Sequence, residues 1–372
     1  MAEMASIATP RTPLPRFFVS KINEKPEAII NLMTLYKRRI IDVSKEVAKE
    51  AILEKLDIGV LNSSKTFGIA DLGCSVGPNT FAAVENIIEA VKNKYQSRGL
   101  NSKIPEFQVF FNDHVSNDFN LLFASLPQDK QYYAAGSPGS FYGRLFPEAS
   151  LHIVHSSTAL QWLSRVPKEI VDKDSPAWNK GKVHYASSGD QVIQAYKAQY
   201  EKDMEKFLQA RAHEIVHDGL MLLILPFNPN GIHPSQSASN LCLDLFGYSL
   251  MDLAKKGRVS EEKVDSFNLP LYITTPQEFK AVVERNEGFS IERTEILPRT
   301  DFVNGIGPNG HQIATYLRAG MEGLIKKHFG GDIIDELFEL YAKKADEILI
   351  PAMVKSAEQG VTLFAVLKRK AY

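Results

Sequence analysis

The chain has 372 residues, 44% of them apolar, with 43 Lys plus Arg against 44 Asp plus Glu and a formal net charge of −1. That length can bury a large core in one enlarged domain or two modest ones, and the absence of a basic excess argues against nucleic acid or an acidic membrane surface as the main partner. No apolar run approaches membrane-spanning length, the first residues lack an apolar signal core, and the two cysteines, Cys74 and Cys242, imply no disulfide framework, so a reducing, cytoplasmic setting is expected.

Residues 1–26 show no apolar period, and Pro10, Pro13 and Pro15 favour an extended arm. Over 27–56 the residues Ile29, Ile30, Met33, Ile40, Ile41, Val47 and Ile52 recur at helical spacing, which predicts one long amphipathic helix or two joined ones. The stretch 67–80, FGIADLGCSVGPNT, reads as a buried parallel strand followed by a turn of small residues that opens a helix. Such a turn lies at the carboxyl edge of a sheet, where open α/β sheets bind nucleotide-like ligands. Asp71 can accept from a hydroxyl or ammonium there, and Gly73 and Gly77 let a ligand approach the main chain. A plain tight turn is the competing reading.

A helical stripe follows over 80–95, then strand candidates at 106–114, 151–154 and 219–227, the last being the strongest in the chain. Strands separated by helices specify a parallel sheet with right-handed crossovers. Two runs far downstream, 289–297 and 361–368, suit an antiparallel pair that completes it. The core is therefore expected to comprise 27–227, 269–299 and 359–372, with helical insertions 228–268 and 300–358 making a lid over the carboxyl edge.

Candidate chemistry gathers at that edge. Asp113 ends the second strand, where a mononucleotide fold holds a ribose diol; a helix N-cap is its bland alternative. Ser140 and Phe141 offer a hydroxyl and an aromatic face suited to an adenine, or else a loop buttress. Ser156 and Ser157 end the third run, and Trp162 supplies an apolar wall and one N–H donor unless it is simply core. Asn179, Asp265 and Asn268 carry oxygens suited to a hard cation, a weak signal by spacing alone. His152 and His155 are expected to be packed rather than catalytic. With no His/Cys metal cluster, nucleophile elbow or phosphate loop, transfer of an electrophile from a bound cofactor is the chemistry least in need of what is missing. Methyl transfer to an ionised carboxylate needs alignment and exclusion of water rather than a general base.

From about Tyr36 to the C terminus the chain resembles the plant SABATH methyltransferases, through the blocks ADLGCSVGPNT, FFNDHVSNDFN, GSPGSFYGRLFP, HSSTALQWLSRVPKEI, NKGKVHY, VDSFNLPLY and LFAVLKRK. The resemblance implies a methyltransferase-type, Rossmann-like, mostly parallel sheet with an α-helical cap. It implies S-adenosylmethionine as cofactor, a small carboxylic acid of iridoid or monoterpenoid type as substrate, and a homodimer. Asp71, Gly73, Cys74, Asn79, Asp113, His114, Ser140, Phe141 and Ser157 would then hold the cofactor. Trp162, Gln161 and Lys37 would be catalytic, with Lys37, Thr158, Gln161, Trp162, Phe227, Tyr272, His311 and Gln312 around the substrate. Leu245, Phe246 and Phe302 are further apolar candidates. A divalent cation, Mg, would map onto Asn179, Asp265, the Phe267 carbonyl and Asn268.

The sequence also departs from the family. Where members carry an N-terminal Ser-Tyr-Asn-Gln clamp, this chain has Ile29, Ile30, Met33, Thr34 and Lys37, and Thr158 replaces a usual tyrosine. Lys37 attracts a carboxylate as a point charge or serves as a solvated helix residue. A second reading follows, in which the fold is kept but a terpenoid-derived metabolite is bound or converted without methylation.

Overall fold

The computed structural model describes residues 26–61, 65–299, 307–356 and 360–371, with side chains described from Arg38 onward apart from residues 60–61. The expected arm, the side chains of Ile29, Ile30, Met33, Thr34 and Lys37, and Phe302 lie outside the described residues.

Seven strands form one sheet in the order β3-β2-β1-β4-β5-β7-β6. They are β1 (Thr66–Leu72), β2 (Glu106–Asp113), β3 (Tyr133–Pro138), β4 (Leu151–Ser157), β5 (Ile215–Pro226), β6 (Phe289–Leu297) and β7 (Thr362–Arg369). The first five run parallel, and β7 slots antiparallel between β5 and β6. The predicted antiparallel completion of the sheet is thus present. β3 was not predicted: YAAGSP has small residues, Gly and Pro, and it forms an edge strand with no residue fully buried.

The central strands are apolar on both faces because helices cover both. Alternate residues divide between two cores: Ala70, Val154 and Leu223 face one, Ile69, Ile153 and Leu222 the other. Helices α1 (Pro26–Lys55) and α2 (Pro78–Ser97) pack together. Buried residues of α3 (Asp190–Glu214) and of the 276–285 helix join the first core, while those of α1 and α2 join the second. The predicted long helix is one unbroken element of 30 residues.

A third core unites the Ala238–Lys255, Gly310–Phe329 and Ile334–Lys344 helices through Leu245, Phe246, Leu317, Leu337 and Tyr341. Leu245 and Phe246 are fully buried in it and are therefore cap interior. No described helix is long and apolar enough to cross a membrane.

Candidate functional site

Four rim segments leave the carboxyl ends of β3, β2, β1 and β4, which are neighbours in the sheet. The segment after β1 turns sharply. Gly73 has φ +79°, and a Cβ there would stand 2.4 Å from the Ala159 Cβ, so the position has room only for glycine. Gly73 and Cys74 both donate backbone N–H to the Asn112 carbonyl, tying the β1 turn to the end of β2. The Cys74 thiol is buried, which pushes its pKa well up, and it donates to the Ser75 carbonyl at 3.3 Å.

Asp113 stands at the centre of the rim. One carboxylate oxygen accepts the Ser75 N–H and the other the His114 N–H, each at 2.7 Å. It does not cap a helix; Asp118 does that, accepting from Leu121 N–H. Each Asp113 oxygen keeps further acceptor capacity, which suits a diol. The His114 side chain is exposed, so its role here comes through its backbone.

Asp71 differs from expectation. Its carboxylate is buried between the Thr80 hydroxyl and His155 Nδ1, the latter at 2.7 Å, so it braces the rim from beneath rather than facing the cleft. His155 is thereby a packed residue, as is His152, whose Nδ1 accepts the Gly68 N–H at 2.9 Å. Ser156 donates to the Leu72 carbonyl and is likewise internal. Asn79 sits half-buried in the first turn of α2.

The 140–146 loop after β3 lies across the rim, and Phe141 meets Phe207 edge-on. A buried pair absent from the sequence-derived candidates holds this loop: Arg211 donates to the Phe141 and Gly143 carbonyls at 2.9 and 2.8 Å, while Glu214 accepts the Leu145 and Phe146 N–H groups. The i,i+3 spacing of opposite charges in ARAHE was the available signal.

β4 joins the rim to a second space. Ser157 ends the strand, and Thr158, Gln161 and Trp162 line a cavity of about 350 Å³. This strip is knitted to the opposite wall by hydrogen bonds from Tyr272 N–H to Gln161 O and from Leu163 N–H to Pro270 O. The other lining is mostly apolar and comes from the cap, including Leu243, Ile313, Leu317, Met321, Leu349 and Met353, with Arg299 and Cys242 among the polar exceptions.

Four expected substrate residues do not line this cavity. Phe227 is core, and Tyr272 packs between Tyr185 and Tyr200 with its hydroxyl on Glu278. His311 is exposed, and Gln312 closes a capping box with Asn309. The pattern Asn-x-x-Gln before a helix was a readable signal for that cap.

The expected cation residues Asn179, Asp265 and Asn268 do come together, and each uses one oxygen in a hydrogen bond within the protein. Asn179 Oδ1 accepts from Ser188, Asn268 Oδ1 from Asn179 Nδ2 at 2.7 Å, and Asp265 Oδ1 from the Gly181 N–H at 2.6 Å. Among the described residues no three His, Cys, Asp or Glu side chains group to hold a metal ion. These hydrogen bonds tie the 179–188 loop to residues 265–268 of the cap.

A family model described as SAM dependent carboxyl methyltransferase matches residues 33–370. The chain belongs to that family. Among curated carboxyl methyltransferases it is 46% identical over 339 residues to loganic acid O-methyltransferase of Catharanthus roseus, covering 90% of each chain. It is 40% identical over 334 residues to farnesoic acid carboxyl-O-methyltransferase of Arabidopsis thaliana, covering 90% of this chain and 94% of the relative. A solved structure of loganic acid methyltransferase with SAH superposes with TM-score 0.85 over 90% of this chain and 94% of that one.

Proposed function

We propose that this chain transfers a methyl group from S-adenosylmethionine to the carboxylate of a small acid of iridoid or monoterpenoid type. The observation that carries the reading is the continuity of residues 157–162. Ser157 belongs to the rim, and one residue later Thr158 begins the wall of the cavity, so a donor in the rim and an acceptor in the cavity would meet across β4's end.

The rim residues fit the adenosyl group. Asp113 offers two aligned acceptors for a ribose, Ser140 and Phe141 an adenine ledge, and Gly73 backbone access. When bound, the cofactor supplies the electrophilic methyl carbon. The chain's own part is to align and to exclude water. Leu271, Ile273, Leu317 and Met321 make the cavity wall apolar, which strips water from a bound carboxylate, while Trp162 limits its position. No base is required, and the lining suits that: burial pushes the Cys242 thiol up to about 11 and the Tyr316 phenol upward, so neither takes a proton at neutral pH.

Residues 228–268 and 300–358 act as the lid in this reading. The unpaired thiols Cys74 and Cys242 support a cytoplasmic setting, and the family resemblance supports a homodimer. The family match and the named relatives, all methyltransferases, favour transfer over the non-methylating alternative. Incubation with methyl-labelled S-adenosylmethionine and either loganic or farnesoic acid, followed by calorimetry with S-adenosylhomocysteine, tests this. Labelled methyl ester is the expected product. No product and no heat of binding at millimolar cofactor would overturn it.

A further inference from the structure

We infer that Tyr142 is a positioning residue: its hydroxyl ties Trp162 of the cavity wall to the Ser140–Phe141 ledge of the rim, so that filling the rim is felt at the wall. This rests on the reading of the rim as the cofactor site and of the cavity as the acceptor site.

The ledge follows β3 and the Trp162 segment follows β4, and two strands, β2 and β1, stand between them in the sheet. No ladder hydrogen bond can therefore join the two ends. Tyr142 bridges them instead, its hydroxyl donating to the Trp162 carbonyl at 2.5 Å. Burial and the nearby Asp203 and Tyr200 hold the Tyr142 phenol well above its usual pKa, so the group stays protonated and remains a donor.

Both ends of this bond are anchored. Gly143 N–H donates to the Ser140 carbonyl at 3.1 Å, closing a turn whose two central residues are Phe141 and Tyr142. Their rings meet edge-on with centroids 4.8 Å apart, and Arg211 holds the carbonyls on either side of Tyr142. A displacement of the ledge thus carries Tyr142 with it. At the other end Trp162 N–H donates to the Ala159 carbonyl at 3.1 Å and Leu163 N–H to the Pro270 carbonyl at 2.7 Å. The buried Asp203 carboxylate takes both the Ser164 N–H and its hydroxyl, at 2.8 and 2.7 Å. Trp162 is thus set in a stretch fixed to the cap side and to α3, and the Tyr142 hydroxyl adds the tie to the ledge. Methyl transfer depends on how a donor on one loop is aligned with an acceptor against another, which gives that tie its use.

The test follows Trp162 itself. Trp178→Phe leaves it as the sole tryptophan of the chain, so its emission can be read during titration. Adenosine is the probe, because it carries the adenine and ribose but neither the amino acid end nor the sulfur. It is expected to change Trp162 emission, and adding Tyr142→Phe, which removes only the hydroxyl, should abolish that change while the adenosine Kd from calorimetry stays the same. Hydrogen exchange on the unaltered protein is the second measurement, needed if a variant does not fold: adenosine should slow exchange in residues 140–146 and 159–164 together. An emission change that survives Tyr142→Phe, a loss of adenosine binding in that variant, or protection confined to 140–146 overturns the inference. No heat with adenosine or S-adenosylhomocysteine in the unaltered protein sinks the cofactor reading and this inference with it. Ester formation is scored separately: a response at Trp162 without methyl ester sinks the transfer reading alone, and ester formation with no response sinks this one alone.

Discussion

The Arg211 guanidinium and the Glu214 carboxylate meet at 2.6 Å with neither side chain reaching solvent. Both belong to the last turn of α3, and between them they hold four backbone groups of the 141–146 loop. Burial alone would make each charge costly, and desolvation does lower the Arg211 pKa; the pair is tolerated because each partner neutralises the other.

Glu214→Gln should therefore destabilise the protein by about 3–5 kcal/mol, since it leaves a buried cation without its counter-charge. Thermal unfolding reads the loss. The same variant should weaken S-adenosylhomocysteine binding, because the loop bearing Ser140 and Phe141 loses its anchor.

Asp113→Ala removes the acceptor for the Ser75 and His114 N–H groups and the proposed ribose contact together. With charged hydrogen bonds at about 1.5–3 kcal/mol each, S-adenosylhomocysteine affinity should fall by about 10- to 100-fold or more. Calorimetry on variant protein shown by circular dichroism to be folded checks this, and an unchanged Kd would remove Asp113 from the site.

Gly73→Ala should cost more than the roughly 1–3 kcal/mol of a left-handed non-glycine residue, because its new methyl collides with Ala159 Cβ. Adding Ala159→Gly should recover the clash but not the backbone cost. A double-mutant cycle in denaturant separates the two contributions.

Two histidines predict acid sensitivity. Burial pushes His152 down to about 4 and His184 down to about 3. The unfolded chain then takes up protons from about pH 6.5 downward that the folded chain refuses. Stability should fall from pH 6.5 to about 4 through His152 and onward to about 3 through His184, by up to about 1.4 kcal/mol per pH unit for each. Asp244, pushed up to about 6 by burial, acts in the opposite sense between about 4 and 6. His184→Phe, set between Tyr185 and Tyr196, should flatten the acid limb of a stability profile measured by urea unfolding.

Much of the rim was legible in the sequence because it follows strands whose apolar runs are unambiguous. β1 and the 220–225 part of β5 are largely apolar, β4 contributes Leu151, Ile153 and Val154, and the residues that end these strands fall at one sheet edge by topology alone. β3 was not legible, since its small residues carry neither period nor apolar contrast. The cap shows the limit most clearly. Leu243 and Leu245 are equally apolar and two residues apart, yet Leu243 lines the cavity while Leu245 packs among the cap helices. A helix surrounded on several sides has no polar face to tell them apart.

By itself, then, the sequence settled the α/β plan, the strands that deliver Gly73, Asp113 and Ser157 to one edge, and the family to which they belong. Tertiary structure decided where polar side chains spend their hydrogen bonds. Asp71 turns down to His155 and Thr80, and the Asn179, Asn268 and Asp265 oxygens accept from Ser188, Asn179 and the Gly181 N–H. The reason is physical: a strand's place in a sheet follows from local pattern, but whether a polar atom is satisfied depends on neighbours that are distant in the chain and adjacent only after packing.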